Sequence, residues 1–194
     1  MKGINRRKFL NDSLSTTLGV FTIPSIVDTV LAGDDLKPIK LEANSVILFQ
    51  GDSITDGGRD RTPPNYNTTN ADRSSEYNDF NVLGCGYPLL AATNLLFHHP
   101  AKRFRIFNRG ISGNKVFQLA ERWEEDCIQI KPSVLSIMIG VNDYWHTLSH
   151  GYTGTSATYR NDYKALLEQT KEKLPDVQLI IGEPFAIKGV GAVT

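Results

Sequence analysis

The chain has 194 residues, 40% of them hydrophobic and 22% charged, which is the length and composition of one globular domain with its own core and excludes a chain disordered throughout. Its 21 Lys and Arg cancel its 21 Asp and Glu, so no overall field draws it to nucleic acid or to an anionic membrane, and a small neutral or polar partner fits better. Two cysteines, Cys85 and Cys127, are too few for a disulfide framework, lack metal-ligand spacing and read as free thiols.

Residues 1–32 have the layout of an address. "NRRKFL" is followed by the moderately apolar "LGVFTIPSIVDTVLAG", with Val30 and Ala32 at the −3 and −1 positions of a cleavage site. Arg6 and Arg7 followed by Phe9 and Leu10 resemble the twin-arginine export motif, and an apolar stretch weakened by Pro24 and Asp28 agrees with that route. The expectation is a signal peptide over 1–32, a domain over 33–194, and export from a bacterium to the periplasm or beyond. The alternative is an ordinary basic N-terminus on a cytoplasmic protein, since Asn11 stands where the motif has lysine. No other apolar run approaches the roughly 18 residues of a membrane span, so no stable membrane anchor is expected in the mature chain.

Past the leader, "VILFQ" reads as a buried strand and runs into "GDSIT". From Gly57 to Gly84 the chain is rich in Asn, Asp, Arg, Pro and Thr with little apolar periodicity, which predicts a long surface loop, either one wall of a substrate site or a solvated insertion. "GYPLLAATNLLFHH" follows as a helix, "FRIFN" as a strand ending in "NRGISGN", and "KVFQLAERWEEDCIQI" as a second helix. The strand "VLSIMIG" runs into "GVND". A helix capped by Thr155 or Ser156 then spaces Tyr159, Tyr163, Leu166, Leu167, Thr170 and Leu174 three and four apart, with Pro175 after its end. The strand "QLIIGEPF" comes last. Strands alternating with helices predict an α/β layer fold around a parallel sheet.

In such a sheet all the carboxyl ends share one edge, so "GDSIT", "NRGISGN", "GVND" and "EPF" converge although they lie about 30–60 residues apart. At that edge Ser53 could attack a carbonyl carbon. The oxyanion formed would need waiting donors, which the Ser53 N–H, the Gly113 N–H and the Asn142 side-chain amide could supply. Each residue also has a plain structural reading: Ser53 as a helix N-cap, Gly113 as a turn glycine, Asn142 as an Asx-turn residue. Those readings leave unexplained why all three fall on one edge.

These residues resemble the blocks of the GDSL-type, or SGNH, hydrolases: "GDSIT" their first, with Ser53 as nucleophile, "GISGN" their second, with Gly113 as oxyanion donor, and "GVND" their third, with Asn142 as the other donor. The resemblance runs from about Ser45 to the end. It implies a three-layer, flavodoxin-like α/β/α sandwich, ester hydrolysis without metal or other cofactor, and an orienting role for Asp52. The subfamily flavour of "GDSITDGGRDR", "NRGISGN" and "GVNDYW" leans toward acetyl groups on carbohydrate, though other small acyl esters fit the same chemistry. Thr55 stands where the G-x-S-x-G elbow of the α/β-hydrolases has its second glycine, so that motif is a different one.

The family pattern departs in one place. A serine nucleophile needs a base and a group that orients it, which the family takes from a D-x-x-H block after its last strand. No such block follows "QLIIGEPF" here, which points to a piece of a longer protein lacking its last one or two β/α units. "DYWH", Asp143 to His146, matches D-x-x-H but follows the wrong strand and reads as coincidence. His98 and His99 end a helix and His150 sits in a Gly-bearing loop, so none is a convincing base. The alternative function is a non-catalytic binding protein that keeps the oxyanion pocket without the Asp-His pair.

Overall fold

The six residues of Val46–Gly51 (β1) are all buried, as in a strand covered on both faces. In a computed structural model, which describes residues 38–61 and 76–185, β1 pairs in parallel with Arg105–Asn108 (β2) on one side and with Val134–Met138 (β3) on the other. Gln178–Gly182 (β4) pairs in parallel with β3, giving the order β2-β1-β3-β4. The chain steps from β1 out to β2, then crosses back past β1 to β3. The carboxyl ends of β1 and β3 therefore flank the point where strand order reverses, the usual ligand crevice of an open α/β sheet.

Strand alternation sends neighbouring residues into two cores. Val46 and Leu48 of β1, with Leu135 and Ile137 of β3, pack against Leu119 of Val116–Glu121 (α4) and against Tyr163, Leu166 and Leu167 of Ser156–Lys173 (α6). Ile47 and Phe49 pack on the opposite face with Ile106, Phe104 and Ala92, the last from Tyr87–His98 (α3). The result is an α/β/α sandwich. Leu48 and Leu135 sit opposite each other in register and have no exposed surface, worth about 2 kcal/mol of transfer free energy each.

The helix expected after Thr155 forms as read. Thr155 Oγ1 accepts from the Thr158 N–H, Thr158 reaches back to the Thr155 N–H, and Tyr159, Tyr163, Leu166, Leu167 and Thr170 are buried. The helix expected over "KVFQLAERWEEDCIQI" does not run through. α4 stops at Glu121 and a π-helical turn, Glu124–Ile128, follows. Two buried demands meet there: Trp123 donates from Nε1 to Thr170 Oγ1 at 3.0 Å, and the Asp126 carbonyl accepts from Gln50 Nε2 at 2.8 Å. A widened turn lets the first reach α6 and the second the end of β1.

Two short helices are unforeseen: Phe80–Leu83 (α2), capped by Asp79, lies in the segment expected as a surface loop and buries Val82 and Leu83, and Val141–Ser149 (α5) follows β3 directly. The expected leader over 1–32 and residues 62–75 of the Gly57–Gly84 loop lie outside the described residues. Both cysteines are free, Cys85 exposed and Cys127 buried. Among the described residues no helix is long and apolar enough to cross a membrane.

Candidate active site

β1 ends at Gly51, where a Cβ would lie 2.2 Å from Thr55 Oγ1 and 2.3 Å from the Met138 carbonyl oxygen, so only glycine lets the chain turn that closely under β3. Asp52 then caps the one-turn helix Ser53–Asp56 (α1): its Oδ1 accepts from the Ile54 N–H at 3.0 Å and its main-chain oxygen from the Asp56 N–H at 2.8 Å. The cap is thus Asp52 and not Ser53, which leaves the Ser53 hydroxyl clear of that duty. Ser53 is exposed, whereas Asp52 is 1% exposed, and burial pushes its carboxyl up to about 6 against the pull of the Ile54 N–H. The Ile54 N–H goes to the Asp52 side chain and the Thr55 and Asp56 N–H groups to its main-chain oxygen, so the cap takes up every donor of this turn except the Ser53 N–H.

The loop after β2 is strapped to this turn by two buried side chains. Asn108 donates from Nδ2 to the Thr55 and Leu83 carbonyls, both at 2.7 Å, and its Oδ1 accepts from the Gly110 N–H at 2.9 Å. Asp56 accepts from the Ser112 N–H at 2.9 Å and the Arg59 N–H at 3.2 Å, and Arg61 lies 3.4 Å from it. Asn114 N–H donates to the Ile111 carbonyl at 3.1 Å, closing a tight turn whose third residue is Gly113 at φ +82°. That angle is the type II requirement for glycine. No atom lies within 4 Å of where a Gly113 Cβ would sit. Backbone conformation, rather than crowding by protein atoms, therefore demands the glycine, and the space beside the turn is open.

α5 carries the third block. Asn142 is 4% exposed and donates from Nδ2 to the Asn114 carbonyl at 3.0 Å, which aims the amide and uses one of its two N–H bonds. Both Asp143 carboxylate oxygens lie 3.3 Å from the Val116 N–H at the start of α4. Burial pushes that carboxyl up to about 6, opposed by the Val116 N–H and by Lys115. Neighbouring residues of α5 thus hold the second block from two sides. The structure joins Gly113 and Asn142 through Asn114, and it joins the Ser53 turn to the Gly113 loop through Asp56 and Asn108.

Asp143 is consequently spent on a backbone N–H, and His146 packs its ring against His150, 4.4 Å between centroids. All four histidines of the chain are among the described residues, and none is paired with a carboxylate there. Among the same residues no group of three or more His, Cys, Asp or Glu side chains could hold a metal ion. Sequence reasoning passed over Asp56, Asn108 and Asp143 as site residues. Each sits in or beside a quoted block, but nothing in its identity shows that it meets a distant backbone group.

Residues 49–193 match the model of the GDSL-like Lipase/Acylhydrolase family. An acetylxylan esterase of Geobacillus stearothermophilus is 37% identical over 153 residues, covering 78% of this chain and 64% of that protein. A crystal structure of a protein from Parabacteroides merdae described as a GDSL-like lipase superimposes with a TM-score of 0.71 at 55% identity, covering 79% of this chain and 65% of that one. The crystal structure of the Geobacillus stearothermophilus acetylxylan esterase Axe2 superimposes with a TM-score of 0.64 at 34% identity, covering 78% and 64%. The chain spans just under two thirds of the length of these relatives.

Proposed function

Given that the chain belongs to the GDSL-like lipase and acylhydrolase family, we propose that its site is that of a serine ester hydrolase acting on small acyl esters, acetyl groups on carbohydrate foremost. The observation that carries this is the exposed, uncapped Ser53 at the carboxyl end of β1, with the Gly113 turn and the Asn142 amide fastened to the same edge. In this reading Ser53 Oγ attacks the acyl carbon while its proton passes to a general base. The carbonyl oxygen becomes an oxyanion met by the Ser53 and Gly113 N–H groups and by the free N–H of Asn142. Collapse expels the alcohol, and water then releases the acyl group from Ser53. Asp52 holds the turn and takes no proton from the nucleophile.

No histidine in the described residues is paired with an acid, so the general base is not among the groups fastened to this edge. The comparisons support that substrate class, because the Geobacillus stearothermophilus match found both by sequence and by structure is an acetylxylan esterase. Ser53→Ala in the full-length protein should abolish hydrolysis of p-nitrophenyl acetate and of an acetylated xylo-oligosaccharide while leaving circular dichroism unchanged. Undiminished turnover would remove Ser53 from the mechanism. A second reading, a binding protein that keeps the pocket without turnover, is favoured by the spent carboxylate of Asp143 and by the lack of an acid-paired histidine among the described residues. A gene that continues past Thr194 into Asp-x-x-His supports the enzyme; a stop codon there supports the binder. The Arg6-Arg7 leader supports export of either form.

A further inference from the structure

Two residues beyond Gly113, Lys115 is only 9% exposed, and among the described residues it forms no carboxylate ion pair within 4.0 Å, Asp143 acting on it only through space. Its ammonium lies 5.0 Å from the centroid of the Tyr152 ring and 5.7 Å from that of Phe117. Those two rings stack on each other, 6.0 Å apart and 21° from parallel. The oxygen contact of the ammonium is Gln118 Oε1 at 3.5 Å, at the outer limit of a hydrogen bond, and that oxygen already accepts the Lys115 main-chain N–H at 3.0 Å. The aromatic faces and the Asp143 carboxylate compensate the charge, but among the described residues the directional N–H donors of the ammonium have only the long Gln118 contact.

The place of this group in the fold gives it a purpose. Lys115 stands between Asn114, whose carbonyl takes the Asn142 amide, and Val116, whose N–H meets Asp143. It is fixed at the rim of the oxyanion turn, and Tyr152 is brought to it by an N–H bond to the His146 carbonyl at the end of α5. A preorganised cation with spare donors beside apolar ring faces suits a ligand that offers oxygen acceptors and C–H surface together. An acyl chain offers only the second. A sugar ring offers both.

We infer that Lys115, steadied by Phe117 and Tyr152, binds the alcohol side of the ester: its ammonium donates to hydroxyl or ring oxygens of a sugar unit, and the exposed part of the ring pair takes the C–H face of that sugar. This rests on the carbohydrate-ester reading above and names the residues that select the carbohydrate. Hydrogen bonds to a charged donor are worth enough that losing one weakens binding by about tenfold to a hundredfold.

The test separates the two readings. Full-length protein carrying Ser53→Ala is titrated with an unacetylated xylo-oligosaccharide by calorimetry, alone and with Lys115→Met or Lys115→Arg added. The expected result is binding that weakens at least tenfold with methionine and largely recovers with arginine. In the active protein, the ratio of kcat/KM for an acetylated xylo-oligosaccharide over p-nitrophenyl acetate should fall about tenfold with Lys115→Met. If the Met variant does not fold, Tyr152→Leu, which keeps the amine and removes a ring, should weaken the same titration. Equal affinity with and without the Lys115 ammonium, or no binding by the Ser53→Ala protein, overturns the assignment. Failure to hydrolyse any acetyl ester sinks the enzyme reading instead, and the titration still decides the fate of Lys115.

Discussion

Asn142→Ala tests the site through two magnitudes that the geometry keeps apart. In the wild-type chain one N–H of the amide goes to the Asn114 carbonyl at 3.0 Å, and the other is the one proposed to meet the substrate. Removing the substrate-facing donor should lower kcat by about 10²–10³, the usual effect of losing one oxyanion donor, with little change in KM because the charge it meets exists only in the transition state. Removing the Asn114-facing donor leaves a carbonyl unpaired next to a residue that is itself 9% exposed, at a cost of about 1–3 kcal/mol. For a chain of this size that lowers Tm by about 2–4 °C per kcal/mol. Initial rates with p-nitrophenyl acetate and a thermal melt of the same full-length sample read both. A rise in KM at constant kcat would refute the oxyanion role and make Asn142 a substrate-binding residue. An unchanged Tm would refute the strap to Asn114.

Asp143 has a raised carboxyl, near 6, so the folded chain holds that proton more tightly than the unfolded one and the group costs stability as pH rises from about 4 to 6. Asp143→Asn, whose amide oxygen can still accept from Val116, should therefore gain on wild type in urea unfolding at pH 7.5 and lose that gain at pH 4; a difference independent of pH would exclude the burial effect. Gly113→Ala keeps the open space but forces a Cβ onto φ +82°, so it should cost about 1–2 kcal/mol in the same assay, and a neutral result would mean that the turn does not hold that angle in solution. Mass spectrometry of the protein from its native host should find an N-terminus near Gly33, whereas an intact Met1 would exclude cleavage of the leader.

What the sequence disclosed depends on where each signal is written. Strands such as "VILFQ" and the helix after Thr155 carry their signal in their own residues, through β-branched apolar runs, three- and four-residue spacing and a local cap, and they form within a residue or two of expectation. The three blocks were legible for the same reason, since each is a contiguous string. The straps between them were not. Asn108 meets a carbonyl 53 positions away, Asp56 an N–H 56 positions away, and Asp143 an N–H 27 positions away. A backbone group has no residue identity to read, so these pairings appear only once the sheet has set the loops side by side. The break in the helix before Cys127 is of the same kind, because it answers to Gln50 on a distant strand.

Asn108 makes the loops after β1, α2 and β2 share a single side chain. None of them can open alone without stranding a buried amide, so their local unfolding is coupled, and in hydrogen exchange this edge of the sheet should protect as one cooperative unit rather than as three independently fraying loops. Loops that carry function normally occupy the low-stability end of a protein. Here the groups proposed as donors around Ser53 are instead tied to one another by buried hydrogen bonds, so little of the energy needed to order them would be left for a bound substrate to supply.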